Sequence, residues 1–325
     1  MSARIIAVSI AVAALATLPL WLGDTYFVNV ASQILLNAVF ALGLNVIVGY
    51  AGLVSLGHAG LLGLAAYAGA ILLQEGWGHA IAIPGALAVT LVGTALFAAL
   101  ALRATGIGFV MITLAIGQIL WGLAYRWLSL TNGDNGINVS TRPAPFGISL
   151  DGAPQFYYVT LATFLLAVLA VFIFTRSSFG VSLLGTRDQP RRMTALGYDV
   201  WLIRFYACLF SGLLSGVAGL LFLYYNEFVS PQSIQLSASA EALLMVISGG
   251  SGTLLGPIAG AALVVIMKNV ASAYIERWNF VLGAIFVAIV IFMPEGFVPG
   301  SVRLARWVVK ALRPRPAPVA AKGEP

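Results

Sequence analysis

Residues 25–74 read TYFVNVASQILLNAVFALGLNVIVGYAGLVSLGHAGLLGLAAYAGAILLQ, 50 residues without one Asp, Glu, Lys or Arg. A helix needs about 20 apolar residues to cross the ~30 Å hydrocarbon layer of a bilayer, because it rises about 1.5 Å per residue. The stretch is therefore too long for one crossing. Two fit, separated where glycine collects, at Gly49-Tyr-Ala-Gly52 and Gly57-His-Ala-Gly60. In hydrocarbon the backbone must satisfy its own hydrogen bonds, so both halves are expected to be helical.

The pattern continues along the chain. Further charge-free runs are Ile5–Gly23, Gly76–Leu102, Ala104–Tyr125, Gly152–Thr175, Phe205–Asn226, Ala242–Met267 and Trp278–Pro294. Glycine and proline break the run at Ala242–Met267 over Gly249–Pro257. That predicts a short helix from about Leu236 to Ser248 and a second from Leu255 to Ser272. The total is about ten spans, an all-α integral membrane protein. Hydrophobic residues make up 60% of the 325 and charged residues 9%, against about 25% charged in soluble domains, which excludes a water-soluble enzyme. The apolar core of Ile5–Leu22 exceeds the ~7–15 residues of a signal peptide, so it is read as a retained first helix. Residues 1–311 are expected to form one transmembrane domain. Residues 312–325, with Pro314, Pro316 and Pro318, are expected to be a disordered tail.

With the N-terminus inside, 13 of the 17 Lys and Arg fall on the inner side, which by the positive-inside rule puts both termini in the cytoplasm. Trp21, Tyr26, Trp77, Trp127 and Trp278 then fall at outer ends, where aromatic rings favour the headgroup layer. The net charge of +6 is thus a topology signal and not a nucleic-acid footprint. Residues 131–154 become an outer loop and 176–203 an inner one.

One cysteine and two histidines are too few for a thiolate or histidine metal site. No phosphate-binding G-x-x-x-x-G-K-[ST] loop, H-E-x-x-H, C-x-x-C or G-x-S-x-G occurs. Asn138-Val-Ser140 matches a glycosylation sequon, a match common by chance. Ionisable groups at bilayer depth cost about 2.5–3.5 kcal/mol each on insertion scales and are kept for function; only Glu241, Lys268 and Arg126 approach it. Two readings stand for the first two. Lys268 snorkels outward while Glu241 lies at the interface, or Glu241, at the mouth of a polar cavity, meets a substrate ammonium or pairs with Lys268.

Four features bear on function. Gly49, Gly52, Gly57 and Gly63, with Ser55, His58 and Tyr67, form a glycine-broken stretch. At membrane depth such backbone survives only where protein or a water-filled cavity covers it, so it is either close packing or pathway. The second break holds Gly249, Gly250, Gly252, Thr253, Gly256 and Pro257. Interrupted helices in both halves of a chain point to a binding site or gate, and both breaks fall toward the inner side, as an inner gate would. Gly212, Gly216 and Gly219 have the small-residue spacing of helix packing. In the inner loop, Pro190 suits the first turn of a short helix capped by Gln189 or Asp188 and ended by Gly197. Its body is either a basic surface on anionic lipid or a docking helix for a soluble partner.

Four stretches in order carry a resemblance: Gly43–Ala59, Thr131–Ile137, Arg187-Asp188 with Ala195-Leu-Gly197, and Ser239–Pro257. Over roughly Leu36–Phe297 the chain resembles branched-chain amino acid ABC-transporter permeases of the LivM type. The resemblance implies a bacterial inner-membrane transport subunit without catalysis or cofactor of its own. It implies a second homologous permease subunit, two cytoplasmic ATPases that bind ATP and Mg, and a periplasmic amino-acid-binding protein. It also implies that Arg187, Asp188, Arg191, Arg192, Thr194, Ala195, Leu196 and Gly197 form the coupling helix seated on an ATPase. The family often carries Glu where this chain has Thr194. Related permeases for urea or short amides share these motifs. A self-sufficient channel or ion-coupled carrier is the alternative from another class.

Overall fold

The computed structural model describes residues 2–22, 24–139, 142–143, 152–274 and positions 280, 283, 284 and 287. The expected tenth span, Trp278–Pro294, falls almost wholly outside them, and the tail 312–325 and Ser140 of the sequon entirely so.

The described helices are α1 (Ser2–Leu22), α2 (Thr25–Asn45), α3 (His58–Gln74), α4 (His79–Ala101), α5 (Ile107–Arg126), α6 (Leu128–Thr131), α7 (Ala153–Arg176), α8 (Ser178–Asp188), α9 (Pro190–Ala195), α10 (Val200–Asn226), α11 (Leu236–Gly249) and α12 (Leu255–Tyr274). Among the described residues, five stretches are long and apolar enough to cross a membrane: Thr25–Tyr50, His79–Ala101, Ile107–Arg126, Ala153–Arg176 and Val200–Asn226. The chain is a multi-pass membrane protein. Shorter apolar helices, α3, α11 and most of α12, pack among these. Side chains start several helices. Asp24 accepts from Tyr26 N at 3.0 Å, Asp199 from Leu202 N at 3.0 Å and Ser177 from Gly180 N at 3.3 Å, each satisfying an otherwise unpaired amide.

Burial ranks the spans. The apolar windows of Thr25–Tyr50 and Val200–Asn226 are 72% and 67% buried, those of α4, α5 and α7 only 28%, 22% and 28%. The α2 and α10 spans are therefore the centre, and the other three turn most of their surface outward, as lipid-facing helices do. Small residues let the central helices close up, as the spacing predicts. Gly43 faces Ser211 and Leu214, Gly216 faces Thr90, Gly212 faces Thr94, and a β-carbon at Gly219 would strike the Leu62 carbonyl.

Two features refine the expected picture. Helix predominates, but within residues 131–154 one short ribbon forms: Ile137–Asn138 (β1) pairs antiparallel with Phe228–Val229 (β2). Backbone between helices still needs hydrogen-bond partners, and this ribbon supplies them. Arg142 fixes it further, 2.8 Å from Glu227 Oε1 and donating to the Tyr224 carbonyl at 3.0 Å. The segment 176–203 holds two helices where one short helix was expected. Pro190 disfavours helical geometry at the residue before it, and Gln189 lies outside the helical region at φ −146°, ψ 72°. Arg187 and Asp188 therefore close α8 and do not belong to α9. The expected side-chain cap from Gln189 is not made.

Candidate functional site

The two glycine breaks meet. The last turn of α2 widens into a π-turn, Val46–Tyr50, and regular helix resumes only at His58. Asn45, fully buried just before that turn, donates from Nδ2 to the Thr253 carbonyl at 3.0 Å and accepts from Gly252 N at 2.9 Å. One carboxamide thus satisfies both backbone groups of the other break, as a neighbouring strand would. Gly49 lies so close that any β-carbon would collide with the Gly252 backbone and with Asn45 Oδ1. Gly252 and Gly52 have φ +78° and +70°, a region glycine enters without steric cost.

Behind this contact, α11 and α12 form a tight antiparallel pair. A β-carbon at Gly249 would strike the Gly256 carbonyl, and one at Gly260 the Met245 carbonyl. Thr253 Oγ1 donates to Gly250 O at 2.9 Å and accepts from Gly256 N at 3.0 Å, bracing the turn into α12. Pro257 falls in the first turn of α12, where no amide hydrogen is needed.

Arg187 joins the junction to the α8–α9 segment. Its Nη1 donates to the Gly49 carbonyl, and its aliphatic stem lies over Gly52. Arg204, early in α10, donates to the Thr186 carbonyl at 2.6 Å and holds the same turn of α8. Beyond Gln189 the chain stands clear. Arg191, Arg192, Thr194, Ala195, Leu196 and Gly197 are exposed, as are the apolar Tyr198, Trp201 and Leu202. Gly197 ends α9 at φ +86°. Tyr198 N donates to Met193 O at 3.1 Å and Gly197 N to Thr194 O at 3.0 Å, the paired bonds of a glycine-terminated helix. Met193 folds back onto Gly185.

Other expected gate residues lie elsewhere. His58 is buried, and both ring nitrogens are used. Ser211 donates its one hydroxyl hydrogen to Gly43 O at 2.6 Å, so it accepts from His58 Nε2 at 2.8 Å, and Nδ1 then accepts from Ser55 Oγ at 3.0 Å. This chain ties α3 to α10 and α2 as packing. Gly57 meets the Thr113 carbonyl of α5 in the same way. Gly63 and Tyr67 line a separate apolar cavity of about 220 Å³ with Ile234 and Trp127.

Glu241 lines a larger, polar cavity of about 470 Å³ between α2, α10, α11 and α12. Lys268 sits opposite, with Nζ 3.1 and 3.2 Å from the two Glu241 oxygens. The pairing alternative therefore holds for Lys268. Asn269 donates to Gln33 Oε1 at 3.0 Å beside it. The cavity reaches Met245, about 6 Å of helix rise short of Gly249; the junction lies beneath its floor.

Sequence reasoning passed over Asn45 and Gln33. Both are uncharged polar residues inside a charge-free run, and that contrast was the available signal.

Comparison with known proteins finds a matching family and several relatives. The family described as branched-chain amino acid transport system / permease component matches residues 26–290. The high-affinity branched-chain amino acid transport system permease protein LivM of Salmonella typhimurium is 28% identical over 296 residues, 84% of this chain and 70% of that one. LivM of Escherichia coli is 27% identical over the same length and shares. The autoinducer 2 import system permease protein LsrC of Salmonella paratyphi B is 27% identical over 159 residues, 46% of each chain. Among solved structures, PsaBC from Streptococcus pneumoniae in complex with Fab aligns at TM-score 0.46 and 13% identity, covering 84% of this chain and 93% of that one.

Proposed function

The chain belongs to the family of permease components of branched-chain amino acid transport systems, and from that premise we propose that it is one membrane half of a bacterial inner-membrane ABC importer for branched-chain amino acids. It works with a second permease subunit. Two cytoplasmic ATPases bind ATP and Mg, and an amino-acid-binding protein delivers the solute from the periplasmic side. Both termini and the α8–α9 segment face the cytoplasm.

The observation that carries this is the junction. Asn45 joins the two helix breaks, and Arg187 joins that contact to the exposed end bearing α9. ATPase closure pushes on α9, α8 moves with it, and Arg187 carries the displacement to Gly49 and Gly52. The breaks then part beneath the polar cavity and the solute passes inward. The exposed Leu196, Tyr198, Trp201 and Leu202 beside Arg191 and Arg192 supply an apolar, basic-rimmed surface of the kind partner proteins cover.

The test is leucine uptake into proteoliposomes holding the chain with its partner subunits and binding protein. The expected result is accumulation that needs ATP, with none from the chain alone. Accumulation by the chain alone under an ion gradient would replace this account with an ion-coupled carrier. Import of a different solute is a second reading, favoured by the partial match to autoinducer 2 permeases. It predicts ATP-dependent transport that excess leucine does not inhibit.

A further inference from the structure

The geometry of the 470 Å³ cavity goes further than a route through the membrane. We infer that Glu241 and Lys268 form a docking point for an α-amino acid zwitterion, with the ammonium on Glu241, the carboxylate on Lys268 and an aliphatic side chain on the apolar wall. The site rests on the reading of the chain as an amino acid permease and names the chemistry by which that permease would know its cargo.

The placement of Lys268 comes first. Helix α12 runs away from the junction, and Gly260 lies against Met245, so Glu241 stands level with Val264, one turn nearer the junction than Lys268. A snorkelling lysine would reach onward to the membrane surface. Side chains lean toward the N-terminus of their helix, and Lys268 bends that way, back into the cavity and onto Glu241. Both side chains keep access to the cavity, at 39% and 22% exposed.

The surroundings come second. A pair that merely stapled α11 to α12 would add to a contact that Gly249–Gly256 and Gly260–Met245 already make tight. This pair instead fronts a volume within the range of small-molecule sites. Gln33, Asn37, Asn226 and Gln235 offer further hydrogen-bonding groups, while Leu36, Phe40, Met245 and Val264 supply an apolar wall. Opposite charges side by side match a zwitterion whose charges are also side by side. The two pairs stack head to tail, and each charge keeps an opposite neighbour as the solute arrives and leaves. A neutral solute such as urea or an amide gives no use to such a pair.

The test is equilibrium binding to the full-length chain in lipid nanodiscs, with no binding protein added. The probes are L-leucine, 4-methylpentanoate, which lacks the ammonium, and 3-methylbutylamine, which lacks the carboxylate. The expected result is that both one-charge analogues bind at least tenfold more weakly than leucine. Glu241→Gln combined with Lys268→Gln should weaken leucine at least tenfold without changing elution or melting behaviour. Equal binding of the three probes, no binding of leucine, or a folded double variant that keeps leucine affinity would overturn the inference. If the double variant does not fold, the analogue series on the unaltered chain decides. Leucine binding without ATP-dependent uptake would instead count against the importer assignment and leave the site standing.

Discussion

Asn45 turns one donor and one acceptor onto the Gly252–Thr253 backbone, at 2.9 and 3.0 Å. Asn45→Ala leaves both part-buried backbone groups without this partner, a loss of at most about 1–3 kcal/mol for each. The expected outcome is a lowered melting temperature in detergent and faster proteolysis within Gly249–Pro257; an unchanged protease pattern would deny the joint. Arg187 is a positioning residue by the same logic. Arg187→Met removes the bond to the Gly49 carbonyl but leaves α9 exposed and intact. ATPase binding should stay within about twofold while uptake per ATP hydrolysed falls at least fivefold, with partial recovery in Arg187→Lys; equal losses of both would make it a folding residue. Gly49→Ala forces its β-carbon into Gly252. A cysteine at Thr253 should then react at least five times faster with a water-soluble maleimide in the Gly49→Ala background than with Gly49 in place.

Among the elements, α9 ends on a left-handed glycine. Gly197→Val places a β-branched residue at φ +86°, where a left-handed conformation costs roughly 1–2 kcal/mol for an ordinary residue. The end of α9 should unwind, with ATP hydrolysis continuing and uptake lost while the subunits still co-purify. Normal uptake would remove the coupling role from this element. Much of this level was legible in the residues. The breaks in Thr25–Gln74 and Ala242–Met267, and helices from Leu236 and Leu255, followed from charge-free length and glycine placement, because hydrocarbon allows the backbone few alternatives. The division of α8 from α9 at Gln189 was also written in the sequence, since Pro190 restricts the residue before it; the polar character of 176–203 obscured the first helix. The contact between the two breaks was not legible. It joins Asn45 to residues more than 200 positions away, and no local pattern specifies such a meeting. The Glu241–Lys268 pair was visible only as one of two options, because a lysine at that depth can reach either way along its helix.

On the scale of the whole molecule, α4 packs on the central α10 and α7 on the central α2, and in the proposed mechanism the polar cavity and the exposed α9 lie at opposite ends of one path. That path runs from α9 through Arg187 to Gly49 and Gly252, and so to the floor beneath Glu241. The direction of the path in the membrane decides the account. The most direct measurement places one cysteine at Thr194 in a Cys208→Ser background, Cys208 being buried. A membrane-impermeant maleimide is then applied to intact spheroplasts and to inverted inner-membrane vesicles. Labelling is expected in the inverted vesicles alone, blocked when the partner ATPases are bound. Labelling of intact spheroplasts would put α9 on the outer face, where no cytoplasmic ATPase reaches it, and would contradict the account.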